Sequence, residues 1–305
     1  MCSSRCLRRL IVMVVAAVGF VGAFPRRAAA QAPGPALSVD EIRKLHDAGQ
    51  YRSALQEAAR SLRGVSGAAR FELQLIRGDS LLHLDDAPTA LEAYAAASKS
   101  DDGAQLAESR GTALLIRRSS SLKYAPKKGG EPIDIVDHAS RKRAAAALLA
   151  DQLAADRKEI DAALSADNLK PIIAVVEPIL DLRALEYIAT GQATETGSLA
   201  QRVGERARDL ISRELGRLND QVNQYERIAN QIQDDGGRGV TRRGLISTQR
   251  KDLRDLIGYL GQIRETAERA RQLARIHGGP VDAWERVVQD TTAIQRHAAD
   301  VLAAE

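Results

Sequence analysis

Cysteine is confined to Cys2 and Cys6, and no thiol occurs beyond the sixth residue. The rest of the chain therefore has no disulfide, no thiolate nucleophile and no sulfur metal ligand, and its stability has to come from apolar burial. Aromatics are scarce as well. Beyond residue 30 they are Tyr51, Phe71, Tyr94, Tyr124, Tyr187, Tyr225, Tyr259 and Trp284, too dispersed for the stacking platforms that bind single-stranded nucleic acid. A surplus of one charge is also missing. Of the 44 Lys and Arg residues, Arg5, Arg8, Arg9, Arg26 and Arg27 precede residue 31, against none of the 40 acidic ones. The basic pI of 9.1 thus belongs to the first thirty residues. The remainder lies near one negative charge and offers no concentrated basic surface for phosphate, so nucleic acid is not an expected partner.

Long apolar runs are absent except for Leu10 to Phe24, whose 15 residues fall short of the roughly 20 that a membrane-spanning helix needs. Arginines precede this run, and Ala28-Ala29-Ala30 follows as a small-residue cleavage site, so residues 1–30 read as a signal peptide. Arg8-Arg9 before Leu10-Ile11-Val12 also resembles part of a twin-arginine export signal. The expectation is a periplasmic or secreted protein with no stable transmembrane anchor. Residues 31–36, with Pro33 and Pro35, read as a flexible leader.

What is present is helical periodicity with an echo in it. Arg77-Gly78-Asp79-Ser80-Leu81-Leu82 returns 33 residues later as Arg110-Gly111-Thr112-Ala113-Leu114-Leu115. A fixed period in the low thirties within helical patterning marks stacked helical hairpins. Ser38 and Glu41 form a capping box that starts the first helix, and short helices then alternate with turns at Ala48-Gly49-Gln50, Arg63-Gly64 and Asp85-Asp86. Small residues at Gly78, Ala90 and Ala97 let one helix approach another closely.

Over residues 37–117 these features resemble a tetratricopeptide repeat array. Gly49, Tyr51 and Ala54 match the mid-repeat turn and second helix of a first unit. Gly78, Ala90, Tyr94 and Ala97 match a second unit, and Gly111 with Leu114 begins a third. The family tryptophan is absent. The resemblance implies a groove lined by first-helix residues, which would place Arg43, His46, Asp79, His83, Thr112 and Ile116 on or near it. It also implies a peptide or protein partner.

Residues 118–137, rich in Ser, Pro, Lys and Gly, read as a linker. The third unit then lacks its second helix, and the helix from about His138 to Ser165 is the nearest candidate to cover it. Residues 138–305 read as a helical bundle. Asn168 opens a very apolar segment reaching Thr190 and broken by Pro178. Ser198 and Gln201 suggest another capping box. Ile211, Leu215, Leu218, Val222, Tyr225, Ala229 and Ile232 then follow coiled-coil spacing, as do Leu253 to Ala270 and Trp284 to Val301. The expected fold is all-α: a short helical-hairpin array, then an elongated antiparallel bundle with a long hairpin over about 198–277 and a C-terminal helix over 280–303.

Chemistry has no visible carrier. The histidines lack zincin spacing, and Gly236-Gly237-Arg238-Gly239 lacks the lysine and Ser/Thr of a phosphate loop and reads as an interhelical turn. Asp79 and His83, four apart, could share a metal ion with His46, but the reading adopted is a polar groove with a satisfied Asp-His pair, with no metal and no cofactor. Arg141-Lys142-Arg143 reads as solvated surface. The function expected is non-enzymatic: a secreted or periplasmic scaffold that binds a peptide or protein in the groove. The alternative is a ligand-sensing or metal-binding bundle with Asn168–Thr190 lining a pocket.

Overall fold

The structure, a computed structural model, describes residues 36–192, 196–234, 240–242 and 244–303. Residues 1–30, read as a signal peptide, leader residues 31–35 and Gly236–Gly239, read as an interhelical turn, lie outside the described residues. The fold is all-α, with ten helices and two minimal strand pairs among the described residues. None of these helices is long and apolar enough to cross a membrane.

Five short helices come first: α1 (Val39–Asp47), α2 (Tyr51–Ser61), α3 (Gly67–His83), α4 (Ala87–Ala97) and α5 (Gly103–Arg118). Three of these starts, those of α1, α4 and α5, are capped by side chains. The Ser38–Glu41 capping box is formed, Asp86 accepts from the Thr89 amide at 3.2 Å, and Asp102 accepts from the Gln105 amide at 2.9 Å. Gly49, at φ +75°, makes the left-handed turn that folds α2 back on α1. Consecutive helices pack as hairpins, and α1 touches α3 while α3 touches α5, so the odd-numbered helices stand side by side. Ala54, Ala90 and Ala97 are buried where the helices cross. A Cβ on Gly78 would lie 2.8 Å from the Tyr94 ring, so the glycine is what lets α3 meet α4.

Residues 118–137 are a packed element. The strands β1 (Lys123–Tyr124) and β2 (Ile133–Asp134) pair antiparallel, and Tyr124 and Ile135 are buried. The Tyr124 hydroxyl donates to Asp151 at 2.5 Å, and the Lys127 amide donates to the same carboxylate oxygen at 2.9 Å. Strands of two residues leave no periodicity in the sequence, and tertiary contacts hold them.

The remaining helices are α6 (His138–Leu164), α7 (Leu169–Thr190), α8 (Gly197–Ala229), α9 (Ser247–His277) and α10 (Val281–Ala303). The apolar segment forms α7, which packs against α5, α6, α8 and α9. Its Ile172, Val176, Ile179, Leu180 and Leu185 are fully buried. The helix that covers α5 from the C-terminal part is therefore chiefly α7, while α6 packs mainly on α7. A Cβ on Gly111 would meet the Ile188 side chain and lie 3.0 Å from the Ala184 carbonyl oxygen. The helix α7 thus occupies the place against α5 that α4 occupies against α3.

The coiled-coil positions of α8, α9 and α10 form the rest of the core, with Ile211, Leu218, Val222, Leu253, Leu260, Ile263, Trp284 and Ala298 buried. Two boundaries differ from the sequence reading. The N-cap of α8 is Thr196, with no side-chain cap, so Ser198 sits inside the first turn. Thr196 is held there by Glu186 of α7, whose carboxylate accepts the Thr196 amide at 3.0 Å. The helix α8 ends at Ala229, and Ile232 falls in β3 (Ile232–Asp234), which pairs antiparallel with β4 (Val240–Arg242).

Candidate binding face of the helical-hairpin array

At the N-terminal end of the array, three rings meet. The tight turn after α1 returns Tyr51, the first residue of α2, alongside His46 in the last turn of α1, and His83 arrives from the end of α3. Tyr51 and His83 stack with centroids 4.0 Å apart and planes 5° from parallel. His46 packs edge-on to both, at 5.4 and 5.7 Å. Its Nδ1 lies 3.2 Å from Asp47, and its buried Nε2 has no hydrogen-bond partner. One turn before His46 on α1, Arg43 pairs with Glu72 of α3, and both stay partly exposed.

His83 is exposed. Its pKa is lowered by partial burial and by the charges of His46 and Arg141, against the opposite pull of Asp79 and Asp134. The imidazole therefore stacks on Tyr51 in its neutral form at neutral pH.

Deeper along the same face the groove is closed. Asp79, one turn before His83, accepts the Tyr94 hydroxyl at 2.5 Å and the Arg141 guanidinium at 2.9 Å. Arg141 is only 2 % exposed, so the solvated-surface reading of residues 141–143 fails at its first member, while Lys142 and Arg143 are exposed. The Arg141 side chain also donates to the Ile135 and Val136 carbonyls at 3.1 and 3.2 Å and lies 3.6 Å from Glu108. Burial raises the pKa of Glu108, and Arg141 opposes the rise. The start of α6 is in this way pinned across α3 and α5.

Thr112 and Ile116 are correspondingly 1 % and 6 % exposed and belong to the interior. They do not line an open groove, because the residues that follow α5 pack over it. Of the six residues assigned to the groove, the structure brings Arg43, His46 and His83 together at an accessible mouth. Asp79 becomes a buried-network anchor. Tyr51, read as a repeat position, is the site residue that sequence reasoning missed. Its signal was a spacing of five from His46 across a glycine turn.

These groups can bind but have no evident reaction to perform. The face offers a ring stack, with a cation–anion pair on the same two helices, and Asp79, the carboxylate nearest His83 along α3, is engaged by Tyr94 and Arg141. Among the described residues, no cluster of three or more His, Cys, Asp and Glu side chains could hold a metal ion. Comparison of the chain with protein-family models, with curated proteins and with solved structures finds no match in any of the three.

Proposed function

We propose that the protein is an exported, non-enzymatic interaction scaffold of the tetratricopeptide-like kind, which takes a peptide segment of a partner at the mouth formed by α1, α2 and α3. The observation that carries this reading is the His46–Tyr51–His83 stack, an aromatic surface left partly open beside the Arg43–Glu72 pair. A flat, pre-ordered π face loses little conformational freedom on binding and takes an apolar or planar side chain, while the charged pair orients the flanking residues. The sequence leader supports a periplasmic or secreted setting. No bound metal or cofactor enters the mechanism.

The test is a peptide-display selection against the full chain, with selected peptides then titrated against variants. Tyr51→Ala and Arg43→Glu should weaken the selected peptides by tenfold or more, on the order of 1.4 kcal/mol for each lost anchor. Glu159→Gln, on the exposed side of α6, should leave affinity unchanged. Peptides that ignore Tyr51 and Arg43 would place binding elsewhere and refute the proposal.

A further inference from the structure

At the end of the bundle, the first half of α8 and the turn between α9 and α10 enclose a cavity of about 480 Å³. Its wall from α8 carries Gln201, Gly204, Glu205 and Arg208, and the opposite wall carries His277 and Trp284. Three features of its lining bear on what it could hold.

The first is an unused cation. Arg208 makes no hydrogen bond or ion pair among the described residues, although Glu205 stands one helical turn away. Glu205 has one carboxylate oxygen occupied by the Gln201 amide at 2.9 Å. The cavity thus presents one positive and one negative group side by side without joining them. His277 adds no charge at neutral pH, because burial and then the charge of Arg183 lower its pKa.

The second is Gly204. A Cβ on Gly204 would meet nothing within 4 Å, so the position opens onto the cavity and a large side chain there would project into it.

The third is the turn itself. The helix α9 ends at His277 and α10 begins at Val281, so a helix C-terminus and a helix N-terminus meet at the rim. Their partial charges are of opposite sign. The same duality therefore appears in side chains and in backbone. Trp284 is among the lining residues but is only 3 % exposed, so most of its ring is packed into the core and little of it faces the cavity.

We infer that this cavity binds a small zwitterion, a free amino acid, its carboxylate on Arg208, its ammonium on Glu205 and its side chain in the space next to Trp284. The site is separate from the peptide face of the array, and either can fail without the other.

Trp284 is the chain's single tryptophan, so the protein carries its own reporter. The experiment titrates the full chain with phenylalanine, 3-phenylpropionate and phenethylamine while following tryptophan emission. Phenylalanine should give a saturable change, and each singly charged analogue should bind at least about tenfold more weakly, the scale of one charge-assisted contact. Arg208→Gln should remove the preference for phenylalanine over phenethylamine. Glu205→Gln should remove the preference over 3-phenylpropionate. Gly204→Leu should abolish the response while the melting temperature stays at or above that of the parent. The inference is overturned if phenylalanine fails to saturate, if the three probes bind alike, or if Gly204→Leu still binds. It is equally overturned if the two charge variants keep the parent's selectivity.

Discussion

Arg141 is the residue on which the closed half of the groove depends. It is buried and bonded to Asp79 and to two backbone carbonyls, with Glu108 beside it, so removing its charge would leave two carboxylates facing a site built for a cation. Arg141→Met is expected to destabilise the fold by about 3 kcal/mol, the lower end for breaking a buried pair, because Asp79 and Glu108 keep some contact with solvent. Urea denaturation at neutral pH measures it, and a loss of less than 1 kcal/mol would show the network to be dispensable. Asp79→Lys would likewise disturb folding, so Asp79 is unsuited to test the binding face. His277 gives a second prediction at this scale. Its folded pKa lies below its ordinary value of 6.5 through burial and then through Arg183. The unfolded chain therefore takes the proton first. The stability contribution is fully present above pH 6.5 and is lost as pH falls through the lower folded value. His83, lowered in the same direction, adds to the effect. Denaturation midpoints measured from pH 7.5 down to about 5 should fall, and His277→Gln should flatten the decline. An equal slope in the variant would remove His277 from the account.

At the scale of elements, Gly78 and Gly111 share the six-residue echo but meet different helices. Gly78 meets Tyr94, in the next helix of the chain. Gly111 meets Ile188 and Ala184, more than seventy residues on. Gly78→Leu should overpack its crossing and cost about 1–3 kcal/mol, whereas Glu92→Gln on the exposed side of α4 should change stability by less than 0.5 kcal/mol. Equal melting temperatures would mean that the crossing can yield. The same pair of glycines shows how far the sequence could be read. The helices, the small residues at crossings and most core positions of α8, α9 and α10 follow from local periodicity; Ile232 is the exception, falling in β3 past the end of α8. The partner of Gly111 is set by long-range packing, and no local pattern distinguishes α6 from α7 as the helix that covers α5. Thr112 and Ile116 were assigned to an open groove for the same reason, since whether a helix face is covered depends on what lands there. The burial of Arg141 was hidden because a cation at a helix start beside two other basic residues looks like solvated surface. Only Asp79, Glu108 and the turn carbonyls, brought in from elsewhere, make it interior.

Over the molecule as a whole, α7 joins what the sequence separates. The described residues from Ala36 onward form one compact unit, and the larger of two buried clusters runs from Leu81 of α3 to Val301 of α10. Polar contacts follow the same route. Arg110 of α5 bonds Asp181 at 2.7 Å and Glu177 at 2.5 Å on α7, and Arg269 of α9 reaches Glu177 at 3.0 Å. At the head of α5, a Cβ on Gly103 would run into the Arg275 carbonyl group of α9. The array is thus tied to the bundle through α5, while α1–α3 keep a smaller cluster of their own around Ile42, Ala54, Ala58, Leu73 and Ile76, and the proposed binding face is expected to depend on that tie. Scanning calorimetry of the full chain tests this most directly. One transition is predicted, with calorimetric and van't Hoff enthalpies in agreement, and Gly111→Leu, which strikes only the contact between α5 and α7, should shift that whole transition downward. Two separate transitions, or a single one that Gly111→Leu leaves unmoved, would contradict it.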